Sequence, residues 1–280
     1  MDFSLYALSE KNIFTRMSIS KKINVFISDN ALEMGKMAGG DAAATIKKAL
    51  EKKGNANIIL ATGTSQFETL NRLIAEPGID WSKVTLFHLD EYIGIHSTAK
   101  ASFRKYLKER FIQMVPSLKA AHLINAEKNP VAECKRLGDL ITIHKIDVAL
   151  VGIGENGHLA FNDPPADFDT SEPYIIVDLD DACRRQQYNE GWFDTIEAVP
   201  KQAISMSIKQ IMKSEKIICS VPDSRKAAAV RNTLEDTISN GIPASILREH
   251  ALCNMYLDKE SAVFLSKRNS HENDLITEIK

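Results

Sequence analysis

No Cys-x-x-Cys pair occurs in the chain. Its four cysteines, Cys134, Cys183, Cys219 and Cys253, stand far apart. A zinc knuckle and a disulfide framework both need clustered cysteines, so neither is expected, and free thiols fit a reducing cytoplasm. No window of about 18 apolar residues exists, so no membrane-spanning helix is expected. Met1–Ser9 has no basic region followed by an apolar core, so a soluble, unexported protein is expected. There is no excess of either charge: 35 basic residues face 37 acidic ones, net −2, with no long basic run. A nucleic-acid partner is therefore not indicated. Internal repeats, low-complexity tracts and a clear linker are also missing.

The 280 residues are 44% hydrophobic and 26% charged, which is ordinary globular composition. Short apolar runs alternate with helical spacing along the chain. Strands are expected at 22–28, 57–61, 84–89 (ending at Asp90-Glu91-Tyr92), 147–151, 174–179, 203–207, 216–221 and 254–258. Helices are expected at 30–52, capped by Asp29 or Asn30 and ended by Gly54, and at 66–75, 102–111, 129–140, 224–234 and 245–252. Residues 182–196 form a polar, aromatic-bearing segment. The alternation predicts an α/β protein: a three-layer, Rossmann-like fold with a mainly parallel central sheet flanked by helices. Residues 23–280 are expected to form one domain, with 1–22 peripheral and the last dozen residues frayed. Homo-oligomerisation stays open.

Four stretches carry chemistry. The apolar run ending at Val151 leads into Gly-Ile-Gly-Glu-Asn-Gly-His158-Leu-Ala-Phe-Asn-Asp163-Pro164. A strand ends this way when its loop must approach a ligand closely. His158 is bracketed by Glu155, Asn156, Asn162 and Asp163, groups able to fix its tautomer. His88 and His96 add no clear metal-ligand set to it. Thr62-Gly63-Thr64-Ser65 follows a strand and opens a helix. Its N–H groups and hydroxyls suit a phosphate, though it lacks the Gly-Lys-Ser/Thr of a P-loop and reads equally as a capped strand–helix turn. Asp90 and Glu91 sit at a strand's C-terminal end, where open α/β sheets bind ligands. They fit a proton shuttle or a capping turn. Lys226 stands in a first helical turn, against the helix dipole. It fits a bound anion or a solvated surface. Arg184 and Arg185 either reach the site or face solvent.

Taken together, these stretches resemble the glucosamine-6-phosphate deaminase/isomerase family, which is related to the 6-phosphogluconolactonases. The resemblance runs from about residue 25 to 260. It rests on Ala61-Thr-Gly-Thr-Ser65, Phe87-His-Leu-Asp-Glu-Tyr-Ile-Gly94, Val151 to Asn162, and Ser224-Arg-Lys-Ala227, in that order. It implies a small phosphosugar substrate, no cofactor and no metal. Asp90 matches the base that moves a proton from sugar C2 to C1, and His158 the histidine that assists ring opening. Thr62, Gly63, Thr64, Ser65 and Lys226 match the phosphate site, with Glu91 and Gly157 beside the substrate. Asn156 and Asp163 stand where the family's deaminases usually carry Asp and Glu in support of the histidine. No arginine between Arg184 and Trp192 matches the family's phosphate arginine. Ala166 and Asp167 replace two serines that bind an activator in some members, so that regulation is not expected. The implied activity is conversion of a hexosamine 6-phosphate, glucosamine or its galactosamine epimer, to a ketohexose 6-phosphate and ammonia. A 6-phosphogluconolactonase with His158 as base and a non-catalytic sugar-phosphate sensor are the alternatives.

Overall fold

A computed structural model of the chain describes residues 15–20 and 23–266. The expectation for the last dozen residues lies outside the described residues, as does most of that for 1–22. The described chain opens with β1 (Thr15–Ser20) and β2 (Ile23–Ser28), then α1 (Ala31–Lys53), β3 (Ala56–Leu60), α2 (Phe67–Ala75), β4 (Val84–His88) and β5 (Asp90–Tyr92). It continues with α3 (Phe103–Arg110), β6 (Ala120–His122), α4 (Pro130–Thr142), β7 (Val148–Val151), β8 (Tyr174–Asp178) and α5 (Asp181–Asn189). It ends with β9 (Gln202–Met206), α6 (Ile208–Met212), β10 (Lys216–Val221), α7 (Ala227–Glu235) and β11 (Cys253–Asp258).

The main sheet runs β1-β2-β11-β10-β7-β3-β4-β6. Every pairing from β2 to β6 is parallel, and β1 alone is antiparallel, against β2. The central strands are continuously apolar because both faces are covered. Ile58, Leu60, Leu86, Val148 and Leu150 face α1, α2 and α3. Ile59, Phe87, Ala149, Val151 and Cys219 face the opposite way, toward α4, α6 and α7. This is the expected three-layer, mainly parallel fold.

Helix boundaries follow local chemistry. The Asn30 side chain accepts from the Glu33 N–H, and Gly54, in the left-handed region, closes α1. Gly35 and Gly39 of α1 lie directly against α2, where a Cβ would come within 2.2 Å of Glu68 and 2.5 Å of the Thr69 carbonyl. That close packing seats the helix that follows Thr62–Ser65.

Two expectations need correction. The strand expected at 84–89, ending at Asp90-Glu91-Tyr92, breaks after His88. Residues Asp90–Tyr92 leave the main sheet and pair antiparallel with β9, which also pairs with β8, making a second sheet β5-β9-β8. The reason is aromatic packing: Tyr92, Phe103, Phe161 and Phe193 form one cluster, and β5 must turn to bury Tyr92 in it. The short helix expected at 245–252 is a 3-10 helix at 243–249. Short β6 carried too little apolar sequence to be expected at all.

β3 and β7 are neighbours, but their chains leave in opposite directions, β3 toward β4 and β7 toward β10. A crevice opens at such a switch point, beyond the carboxyl ends of the strands.

Candidate active site

A cleft of about 580 Å³ occupies that crevice. Its walls include Thr62–Ser65 after β3, Asp90 after β4, Gly152–Gly154 and His158 after β7, Asp223, Arg225 and Lys226 after β10, and Asp258 at the end of β11. Five strand ends thus converge on one space, and most of the expected site residues meet there.

Two of the walls are built alike. Thr64–Gln66 is a 3-10 turn running into α2, and Ser224–Lys226 is a 3-10 turn running into α7. Gly63, at φ +95°, makes the reversal into the first, a conformation that favours glycine. The Tyr106 hydroxyl donates to the Gly63 carbonyl at 2.9 Å, and Gln66 Nε2 donates to the Val151 carbonyl at 3.3 Å. The loop is therefore tied to α3 and to β7. Asp223 makes the second reversal at φ +87°; its carboxylate accepts from the Arg225 N–H and pairs with the guanidinium at 2.7 Å. Lys226 is only 5% exposed, and burial lowers its pKa, opposed by the charges of Glu190 and Glu155. A buried ammonium at one helix start, lining the same cleft as the hydroxyls at another, has the chemistry to hold an anion.

Asp90 is 6% exposed and lines the cleft. Burial, then the nearby Glu91 charge, push its carboxyl up from 3.8 to about 8. His88, two residues earlier, is buried and held neutral by desolvation, then by Arg104, at about 3. Asp90 is thus a carboxyl poised to exchange a proton near neutral pH.

His158 Nδ1 lies 2.9 Å from Asp163 Oδ1, close but off the line of the ring N–H. His158 lines the cleft. Burial pushes the Asp163 carboxyl up, but His158, Asn156 and the Asp180 N–H pull harder and hold it below its ordinary value. Asn156 does not line the cleft. Its Oδ1 accepts from the His158 N–H at 3.1 Å, and its Nδ2 donates to Asp163 at 3.0 Å and to Asp180 at 2.9 Å. Gly154, four residues before the histidine, lies against its ring: a Cβ there would come within 2.3 Å of the imidazole, so the ring stacks directly on backbone. Ligand atoms of His158, Asp163 and Cys183 fall within 4.8 Å of one another. This is the grouping among the described residues able to hold a metal. Its carboxylate is already held by Asn156 and the Asp180 N–H, and its thiol is buried.

Two expected substrate contacts lie elsewhere. Glu91 is fully buried away from the cleft, where its carboxylate accepts from Ser102 Oγ, the N–H groups of Tyr92, Phe103 and Arg104, and Arg104 Nε. It caps α3 and anchors β5, so its adjacency to Asp90 in sequence reflects alternation along a strand. Glu91→Leu is expected to cost about 3–5 kcal/mol, because it leaves the buried N–H groups of Tyr92, Phe103 and Arg104 unpaired and removes one of the two carboxylates that pair with Arg104, read as a fall in denaturation midpoint. Gly157, at φ +83°, turns the loop, and its carbonyl accepts from the Ala244 N–H at 2.9 Å; it does not line the cleft either.

The sequence reading missed the wall made by α5. Gln186, Gln187, Asn189 and Glu190 line the cleft. Arg184 instead binds the carbonyls of Ile196 and Val199, and Arg185 faces solvent beside Asp181. A capping Asp180 followed by a polar helix was the available signal. Arg225, at the cleft's edge, is a second cation beside Lys226, though it is engaged by Asp223 and lies 3.4 Å from Glu155.

A family model described as glucosamine-6-phosphate isomerases/6-phosphogluconolactonase matches residues 29–255. A glucosamine-6-phosphate deaminase of Streptococcus pyogenes serotype M1 is 36% identical over 225 residues, 80% of this chain and 94% of that one. A solved monomeric glucosamine-6-phosphate deaminase superposes with a TM-score of 0.77 at 31% identity, covering 86% of this chain and 99% of the other. The 6-phosphogluconolactonase of Trypanosoma brucei shares the fold at a TM-score of 0.69 and 19% identity, over 88% of this chain and all of that one. No helix among the described residues is long and apolar enough to cross a membrane.

Proposed function

Because this chain belongs to the glucosamine-6-phosphate isomerase/6-phosphogluconolactonase family, we propose that it converts a hexosamine 6-phosphate and water to a ketohexose 6-phosphate and ammonia. The observation that carries this reading is Asp90: a buried carboxyl, titrating at about 8, set in the same cleft as an anion site and a histidine–carboxylate pair.

The sugar phosphate enters with its anion against Thr62–Ser65 and Lys226. That contact is remote from the reacting carbons and serves to place them. His158 moves a proton between the anomeric hydroxyl and the ring oxygen, opening the ring to the aldehyde. Asp90 takes the proton from C2 and returns it to C1, so the aldehyde becomes an enolamine and then a ketimine. Water adds to the ketimine carbon and ammonia departs. The substrate's ammonium, held near Asp90, favours the carboxylate and turns the protonated acid of the empty cleft into a base. Asn156 and Asp163 orient the imidazole. Every group in this scheme comes from one chain. The four free thiols fit a reducing compartment, and we place the reaction in the cytoplasm.

Offering the protein glucosamine 6-phosphate, galactosamine 6-phosphate and 6-phosphogluconolactone separately tests this reading. Ammonia release from at least one amino sugar is expected. Lactone hydrolysis with no ammonia from either would transfer the assignment to the lactonase branch. Lys226→Met is expected to raise KM by about 10–100-fold with kcat changed far less, because the phosphate contact acts before and during the reaction alike. Initial rates over a range of substrate concentrations decide this.

A further inference from the structure

Asn156 uses its whole amide. Both Nδ2 hydrogens are donated, one to Asp163 Oδ1 and one to Asp180 Oδ2, while Oδ1 accepts from the His158 backbone. The residue is thus a neutral bridge between two carboxylates. An aspartate there has no hydrogen to offer and would bring a third negative charge against the other two. The amide is required by its surroundings, and the group that requires it is Asp180.

Asp180 makes further contacts. Its Oδ1 accepts from the Cys183 N–H at 2.6 Å, capping α5. Its own N–H donates to Asp163 Oδ2 at 2.9 Å. Asp163 is therefore held on both oxygens by the start of α5, once directly and once through Asn156. The far end of the same helix supplies Gln186, Gln187, Asn189 and Glu190 to the cleft wall. A second tie joins the same partners: the Glu155 N–H donates to Gln186 Oε1 at 2.9 Å.

We propose that Asp180 is a positioning residue, which acts through the Asn156 amide and Asp163 to fix the His158 ring and to lock the α5 wall of the cleft to it. The inference rests on the proposed deaminase reaction for its kinetic consequence but not for its geometry. Chains of hydrogen bonds behind a catalytic imidazole set its tautomer and direction. The carboxylate of Asp180 adds to this a link from the histidine to the helix that walls the cleft.

Capping and positioning are separable by substitution. Serine caps helices about as well as aspartate, so Asp180→Ser keeps α5 and loses the carboxylate that receives Asn156. Asp180→Ser is expected to unfold within a few degrees of wild type yet lose about tenfold in kcat, with KM changed about twofold or less. Asn156→Asp is expected to lose more, about 30-fold or beyond, through the third carboxylate. In the double variant Asn156→Asp with Asp180→Ser, the serine hydroxyl can donate to the new aspartate while still accepting from Cys183. The charge count returns to that of wild type, and kcat is expected to recover at least about threefold over Asn156→Asp alone. The 15N spectrum of the histidine rings provides a readout without turnover: the tautomer signal of His158, assigned with His158→Gln, changes in Asp180→Ser. Wild-type kcat and an unchanged ring signal in Asp180→Ser would overturn the proposal. So would losses in the double variant that equal the product of the single losses. If wild type turns over no hexosamine phosphate, the functional reading fails, and the ring signal alone still decides the role of Asp180.

Discussion

Asp90→Asn is expected to lower kcat by about 10²–10⁴-fold, the usual contribution of a positioned acid–base group, with KM nearly unchanged. Asparagine keeps the shape of the side chain and removes its ability to bind and release a proton near neutral pH. The same substitution is expected to stabilise the fold in alkali. The folded-state value, about 8, lies far above the ordinary 3.8. The folded protein therefore keeps a proton that the unfolded chain releases. The stability this contributes is complete below the ordinary value and drains away as pH rises to about 8. Asparagine is never ionised, so the variant escapes that loss. Each pH unit separating the folded and unfolded values corresponds to about 1.4 kcal/mol, and each kcal/mol to roughly 2–4 °C in a chain of this size. Thermal scans should show Asp90→Asn melting several degrees above wild type at pH 9, with the gap closing toward pH 4. A variant that is less active yet more stable marks a carboxyl kept for chemistry against the interest of the fold.

Gly154→Ala is the second large effect. A Cβ at this position lies 2.3 Å from the His158 ring, and all three nearest atoms belong to that ring. The ring cannot move away without disturbing its Nδ1 contact with Asp163 at 2.9 Å. One of the two contacts must give, and a shift of about 1 Å in a reacting group costs on the order of 10²-fold in rate. A loss of that size in kcat is expected from a single methyl group, with phosphate-site affinity, read as inhibition by inorganic phosphate, held within about twofold. Loss of phosphate inhibition together with kcat would instead point to a collapsed cleft.

The sequence was most legible where local rules act alone. Continuous apolar strands, the Asn30 cap and the Gly54 terminator mark out the parallel sheet and α1 directly. The stretches at Thr62, Asp90, His158 and Lys226 could be read as one site because parallel strands deliver their following loops to one edge. Roles set by distant partners were hidden. Glu91 resembles an active-site carboxylate in sequence, and only the donors brought by Ser102, Phe103 and Arg104 reveal a structural anchor. The turn of β5 into a second sheet depends on Phe161 and Phe193, far along the chain. The wall contributed by α5 has low apolar content, so periodicity gave it little weight. Asn156 read as a lost charge in sequence, whereas Asp180, 24 residues away, supplies a carboxylate to the same network.

The central claim is that Asp90 moves the C2 proton in a reaction that liberates ammonia. Its most direct test is the yield of ammonia and ketohexose 6-phosphate from each hexosamine 6-phosphate, measured side by side for wild type and for Asp90→Asn at a pH where both are folded. One equivalent of each product per substrate consumed by wild type, falling by about 10²-fold or more in the variant, is the predicted result. Ammonia release by Asp90→Asn at the wild-type rate, or none from wild type with either epimer, would contradict it.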